Sequence, residues 1–234
     1  MKRFAASLIF TLALPLFLAA SGPGAVSAAP LGGCTPLANP YANPNLPAQV
    51  CGTGVNSTPM DAAYEVQRTQ VWCWAASLSM VMAFYGKDVS QKAIVTSIYG
   101  AAVPEALNSE LVGRYLNRTY ADGDDRATVS SRPLFVSGSQ NAGALDAIVA
   151  EMRSGHPMLL FTPTHVMVMT GIYYYADSEG NPTGVRGVIV RDPFPYDRVD
   201  EATPGIPISG HPGERVLAPQ EYYSLVAAVA VRIS

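Results

Sequence analysis

Three hydrophobic patterns succeed one another along the chain. The first is a continuous apolar block over 4–20, broken only at Ser7, Thr11 and Pro15. Lys2 and Arg3 precede it, and Val26, Ser27 and Ala28 supply small residues for cleavage before Ala29, which is the layout of a secretory signal peptide over 1–28. Pro15 and a length short of the ~20 residues of a spanning helix weigh against an uncleaved anchor. A lipoprotein-type box at 31–34 lies too far behind the apolar block to be the better reading. Residues 29–60 then show neither helical nor strand period. Asn and Pro dominate 39–47, and the segment reads as an irregular arm or propeptide that packs on the domain or covers its cleft.

From Asp61 the apolar spacing becomes helical. Trp74, Leu78, Val81, Met82 and Tyr85 share one face and predict a helix over 74–85, closed by Gly86. Ser90 is an N-cap for a second helix reaching Tyr99, and Leu107, Leu111, Tyr115 and Leu116 predict a third over 105–116. A polar stretch over 118–140 carries no element, and a short helix follows over 144–153. Beyond it come short apolar runs at 158–161, 166–175, 187–190 and 226–233, with a turn-forming segment over 177–184 between the second and third. Helices first and strands afterwards predict an α+β domain over 61–234, in two subdomains with a cleft between them.

Composition narrows the function. The chain has 234 residues, is 49% hydrophobic and 14% charged, and carries a formal charge of −3. It is neither a disordered charged tail nor a basic nucleic-acid binder. Asp122-Gly123-Asp124-Asp125 has too few spaced oxygens for a calcium loop, and no metal-ligand cluster or phosphate loop is apparent, so no cofactor is expected. The three cysteines are an odd number for an exported chain. Cys34 and Cys51 bracket the Pro-rich arm, and their mutual disulfide is the expected pairing.

Cys73 is the thiol left over. It opens the first helix of the domain between Trp72 and Trp74, where the helix dipole and free N–H groups favour an anion. A buried cysteine is more often a small hydrophobe, so the case rests on its companions. His165 begins an apolar strand and is placed to act as general base and acid. Asp192 ends the run 188–192. If the strands on either side of 177–184 form one hairpin, Asp192 and His165 become neighbours, and the carboxylate can orient the imidazole. Gln67, six residues before Cys73, is a candidate oxyanion donor, with Gln70 nearer in sequence. His156 and His211 sit in turn-like contexts and are weaker candidates.

Gln67-Arg68-Thr69-Gln70-Val71-Trp72-Cys73-Trp74, the block His165 to Tyr173, and the block Val188 to Pro193 resemble, in that order, the motifs of bacterial papain-like cysteine peptidases. The similar groups are the secreted, effector and bacteriocin-leader-peptidase types. The resemblance implies a papain-like two-subdomain fold, its helical part carrying the Cys and its antiparallel β part the His and Asp. It also implies peptide-bond hydrolysis by Cys73, His165 and Asp192 with Gln67 in the oxyanion hole. The implied partner is a protein or peptide substrate met by a secreted monomer, with no nucleic acid and no membrane insertion after signal cleavage. The closing segment 218–233 also matches. Thr162-Pro163-Thr164 before the His departs from the Gly-rich run usual in that branch, and Trp72 is bulkier than the residue before a papain nucleophile. Two alternatives use the same residues: amide acyl transfer in the manner of a transglutaminase, and a non-catalytic binding protein on a degenerate scaffold. Loops 118–142 and 193–217 are the expected sources of substrate specificity.

Overall fold

The computed structural model describes residues 31–38, 46–108, 111–139, 141–195, 206–207 and 210–234. The signal-peptide reading of 1–28 lies outside the described residues. The chain runs β1 (Gly33–Pro36), β2 (Gln49–Gly54), α1 (Ser57–Ala63), α2 (Cys73–Phe84), α3 (Gln91–Tyr99), α4 (Val112–Tyr115), β3 (Arg118–Asp122) and β4 (Asp125–Val136). It continues with α5 (Ala144–Arg153), β5 (Met158–Phe161), β6 (Val166–Ala176), β7 (Pro182–Arg191), β8 (Ile206–Pro207), β9 (Glu214–Val216), α6 (Pro219–Tyr223) and β10 (Ala227–Ile233). All described strand pairings are antiparallel, in the order β3-β4-β10-β5-β6-β7-β9-β8. β1 pairs with β2, and β2 pairs with 171–176 of β6, beyond the stretch 166–169 that pairs with β5.

Helix α2 is buried from Cys73 to Met82, so it is a central helix and not an amphipathic surface one. Its hydroxyls are satisfied locally: Ser77 donates to the Val166 carbonyl (2.9 Å) and Ser79 to that of Val89 (2.7 Å). The period-two alternation of the strands gives the sheet two distinct apolar faces. Phe161, Val166, Ala227 and Val229 share a cleft with Cys73 at the start of α2. Their neighbours Leu160, Met169 and Ala228 line a separate cavity with Leu145 and Ile148 of α5. Helices therefore cover both faces of one sheet.

Three expectations change. The arm predicted to lack regular structure contributes β1 and β2, joined by a disulfide between Cys34 and Cys51, which stand opposite each other in the register. Its pairing to β6 sums many backbone hydrogen bonds that composition does not reveal. The polar stretch 118–140 forms the hairpin β3–β4. Tyr120, Ala127, Val129 and Leu134 supply its buried positions, while Thr, Ser and Arg face solvent, so the segment lacks an apolar run. The third helix over 105–116 shrinks to α4. Pro104 interrupts its start, and the carbonyls of Val103, Glu105 and Ala106 accept side-chain donors from Trp72 (2.8 Å), Trp74 (3.3 Å) and Tyr99 (2.7 Å).

Candidate active site

The β6–β7 hairpin turns at 177–181, where both Asp177 carboxylate oxygens accept hydrogen bonds from Asn181 and Oδ1 also accepts from the Glu179 N–H. Val168 stands opposite Arg191, so the register carries His165 and Asp192 to the same end of the two strands. There the His165 Nε2 and Asp192 Oδ1 lie 2.7 Å apart. The Asp192 side chain is essentially inaccessible, and that of His165 is 21% exposed. Phe194 meets the imidazole edge-on, with ring centroids 6.3 Å apart.

Cys73 opens on the same cleft as His165, a space of about 500 Å³. Burial disfavours the imidazolium of His165. Hydrogen bonding to Asp192 and Cys73, reinforced by their charge, outweighs that and pushes its pKa up to about 10. The imidazole therefore stays protonated through neutral pH when it faces the thiol. No side chain caps the start of α2. Ser77, one turn after Cys73, ties the helix to the carbonyl of Val166, the residue after His165.

Backbone contacts fix Asp192 further. Its N–H donates to Gly213 O (2.8 Å), and its carbonyl accepts from the Tyr64 hydroxyl (3.1 Å). Gly213 has φ +65°, and a Cβ there would sit 2.0 Å from the Tyr64 ring and 2.8 Å from the Asp192 carbonyl, so only glycine lets this turn close. Sequence reasoning missed Arg215, a buried residue on β9 that donates to Asp192 Oδ2 through Nε (3.0 Å) and Nη2 (2.7 Å). Nothing local in the sequence pairs it with a residue 23 positions away.

Gln67 is buried. Its N–H donates to Pro193 O (2.8 Å), which ties it to the Asp192-Pro193 segment, and its side-chain amide donates to Thr69 O (2.9 Å). The loop around it is held by the buried Gln91, which donates to Val66 O and accepts from the Arg68 N–H. Of the two glutamines, Gln70 lines the cleft together with Cys73. The weaker histidine candidates lie elsewhere: His156 pairs with Glu151 (3.1 Å) and His211 with Asp61 (2.7 Å). The described cleft walls come from Leu107, Val112, Val136, 161–166, Val226, Ala227 and Val229. Among the described residues, the segment 193–217 contributes none of its lining.

Among the described residues no three His, Cys, Asp or Glu side chains cluster in a way that could hold a metal ion, and no helix is long and apolar enough to cross a membrane. No curated protein and no solved structure matches the chain. The model of the Peptidase_C39 like family matches residues 59–204, more than half of the chain, and that span includes Cys73, His165 and Asp192 while ending before Arg215. The chain belongs to the Peptidase_C39 like family, a group related to the papain-like cysteine peptidases.

Proposed function

We propose that the protein is an exported cysteine peptidase in which Cys73 attacks the peptide carbonyl. His165 carries the proton given up by the thiol and delivers it to the leaving amine, and Asp192 orients the imidazole for that transfer. The observation that carries this reading is the meeting of three groups from different elements: a helix-start thiol, a protonated imidazole beside it, and a buried carboxylate 2.7 Å behind that imidazole. The Cys73 N–H and the Gln67 amide are assigned to the oxyanion. Anchoring of Gln67 to Pro193 O supports its placement beside the triad segment. Water then hydrolyses the acyl-enzyme and regenerates the thiol. Export before Ala29 accords with the Cys34–Cys51 disulfide, a bond characteristic of oxidising compartments.

A peptide library incubated with wild type and Cys73→Ala tests the assignment. Wild type is expected to cleave and to be labelled at Cys73 by an epoxide thiol trap, and the variant to do neither. Labelling that persists in Cys73→Ala overturns the nucleophile. Gln67→Ala is expected to lose roughly 10²–10³ in kcat, the cost of one oxyanion donor. A loss of that size in Gln70→Ala instead would reassign the donor to the glutamine that lines the cleft.

A further inference from the structure

Asp192 is held by more than the imidazole it is proposed to orient. Its Oδ1 accepts from His165 (2.7 Å) and from the Phe194 N–H (2.9 Å). Its Oδ2 accepts twice from Arg215. The remaining edge of that guanidinium donates to both oxygens of Glu221, each at 2.6 Å, and Glu221 Oε2 also accepts the Ala218 N–H at the start of α6 (3.0 Å). Arg215 is 2% exposed, and its Nη2 also lies 3.2 Å from the Met167 sulfur. A guanidinium this buried must be balanced by charge, and here two carboxylates share it. Its planar fork constrains orientation in a way that a lysine ammonium cannot.

We infer that Arg215, locked by Glu221, is a positioning residue for the reaction. It occupies Asp192 Oδ2 so that Oδ1 alone is presented to His165. The inference rests on the assignment of Cys73, His165 and Asp192 above, and both Arg215 and Glu221 lie beyond the residues matched by the family model. Charge and shape are separable in this network. Arg215→Lys keeps the cation and loses the fork, whereas Glu221→Gln keeps the shape and removes one of the two carboxylates that balance Arg215.

The test needs no substrate. The rate of Cys73 alkylation by iodoacetamide at pH 6.5 is measured beside an NMR titration of the histidine imidazoles, of which the chain has three. Arg215→Lys is expected to slow alkylation roughly tenfold, the lower end of losses seen when groups behind a ligating histidine are removed. Glu221→Gln is expected to lower the His165 midpoint measurably, because Arg215, released from Glu221, then neutralises Asp192 alone. Arg132→Gln, at a separate ion pair, serves as the folding control and is expected to move neither readout. If His165→Ala leaves alkylation unchanged, the Cys73 reading itself fails. If His165→Ala slows alkylation while both network variants stay within about twofold and leave the His165 midpoint in place, the positioning role alone fails. A rate that falls only with the folded fraction, read from circular dichroism, also overturns it as a mere structural staple. Should Arg215→Lys not fold, Glu221→Gln decides by itself.

Discussion

Two buried carboxylates in this molecule are each held by a histidine and by arginine, yet they do different things. Asp192 sits between His165 and the buried Arg215, at the end of a hairpin that opens on a cleft and a thiol. Glu151, near the end of α5, is bonded by His156 (3.1 Å), Arg132 (2.9 Å) and Arg232 (2.7 Å). Its arginine side chains are 64% and 48% exposed, against 3% for Arg215. Burial works to raise the Glu151 carboxyl, but hydrogen bonds and charge from Arg232 and His156 hold it below its usual range. The Glu151 cluster fastens α5 to β4 and β10. A carboxylate–histidine pair is therefore not in itself a site. A thiol that shares the cleft with the imidazole, and a charge network sealed from water behind the carboxylate, separate the two.

The largest effect that can break the comparison is the loss of each carboxylate in turn. Asp192→Asn is expected to reduce kcat by several orders of magnitude, up to about 10⁴ as when a triad carboxylate is made neutral, because the amide can present the wrong partner to His165. Glu151→Gln is expected to leave kcat/KM within about twofold and to lower stability by about 1–2 kcal/mol, since its half-exposed arginine partners regain water. Peptide cleavage rates and urea unfolding of both variants read this directly. Equal losses of activity would mean that the two carboxylates are equivalent supports and that neither is special to the reaction.

The next effect is in pH. Because the His165 pKa is raised from 6.5 to about 10, its protonated form, the proposed proton donor to the leaving amine, persists through neutral pH and is lost only as pH rises through the raised value. The same sign holds for stability: the contribution of this ionisation is complete below about pH 6.5 and disappears as pH climbs towards 10. The alkaline limb of kcat/KM is expected close to pH 10 in wild type. In Asp192→Asn it should move down towards the ordinary histidine range. A limb that stays in place would assign the ionisation to another group.

The comparison also shows why only part of the site could be read in advance. His165 and Asp192 were legible because both flank one turn, so a period of two and the length of 177–184 suffice to bring them together. Cys73 was legible from its place at a helix start. Arg215, Glu221 and Gly213 were not, because their roles depend on β9 and α6 docking beside Asp192, a tertiary event with no local period. The same reason hid β1 and β2: Gly52 and Gly54 are poor strand formers by themselves, and it is pairing to Tyr173 and Gly171 of β6 that makes them a strand. The failed helix over 105–116 was overruled by indole and phenol donors from Trp72, Trp74 and Tyr99, which hold the carbonyls of Val103, Glu105 and Ala106.

Gly213 offers a smaller and more local test of how the site is sealed. Alanine there would place a methyl within 2.0 Å of the Tyr64 ring, at a φ of +65° that side chains rarely adopt. The expected cost is about 1–3 kcal/mol, together with a fall in kcat, because the turn that receives the Asp192 N–H must shift. Gly123, at φ +61° in the β3–β4 turn with open space around it, is the control: alanine there is expected to cost stability without touching kcat.

The smallest effect sharpens the question of what couples the thiol to the histidine strand. Ser77 lies on the same face of α2 as Cys73, one turn on, and its hydroxyl is fully buried against the Val166 carbonyl at 2.9 Å. Ser77→Ala removes that donor without adding volume and leaves a buried carbonyl with one partner fewer. The expected loss is about 1 kcal/mol in urea unfolding. If the bond only supports the core, kcat remains unchanged once the folded fraction is accounted for. If it sets the spacing between Cys73 and His165, alkylation of Cys73 by iodoacetamide slows several-fold at pH 6.5 in the fully folded variant, since misplacement by fractions of an ångström weakens the thiol–imidazole contact. The second outcome is expected, because β6 begins at the residue this bond holds, and the imidazole immediately before it hydrogen-bonds to Cys73 on the helix that bears Ser77.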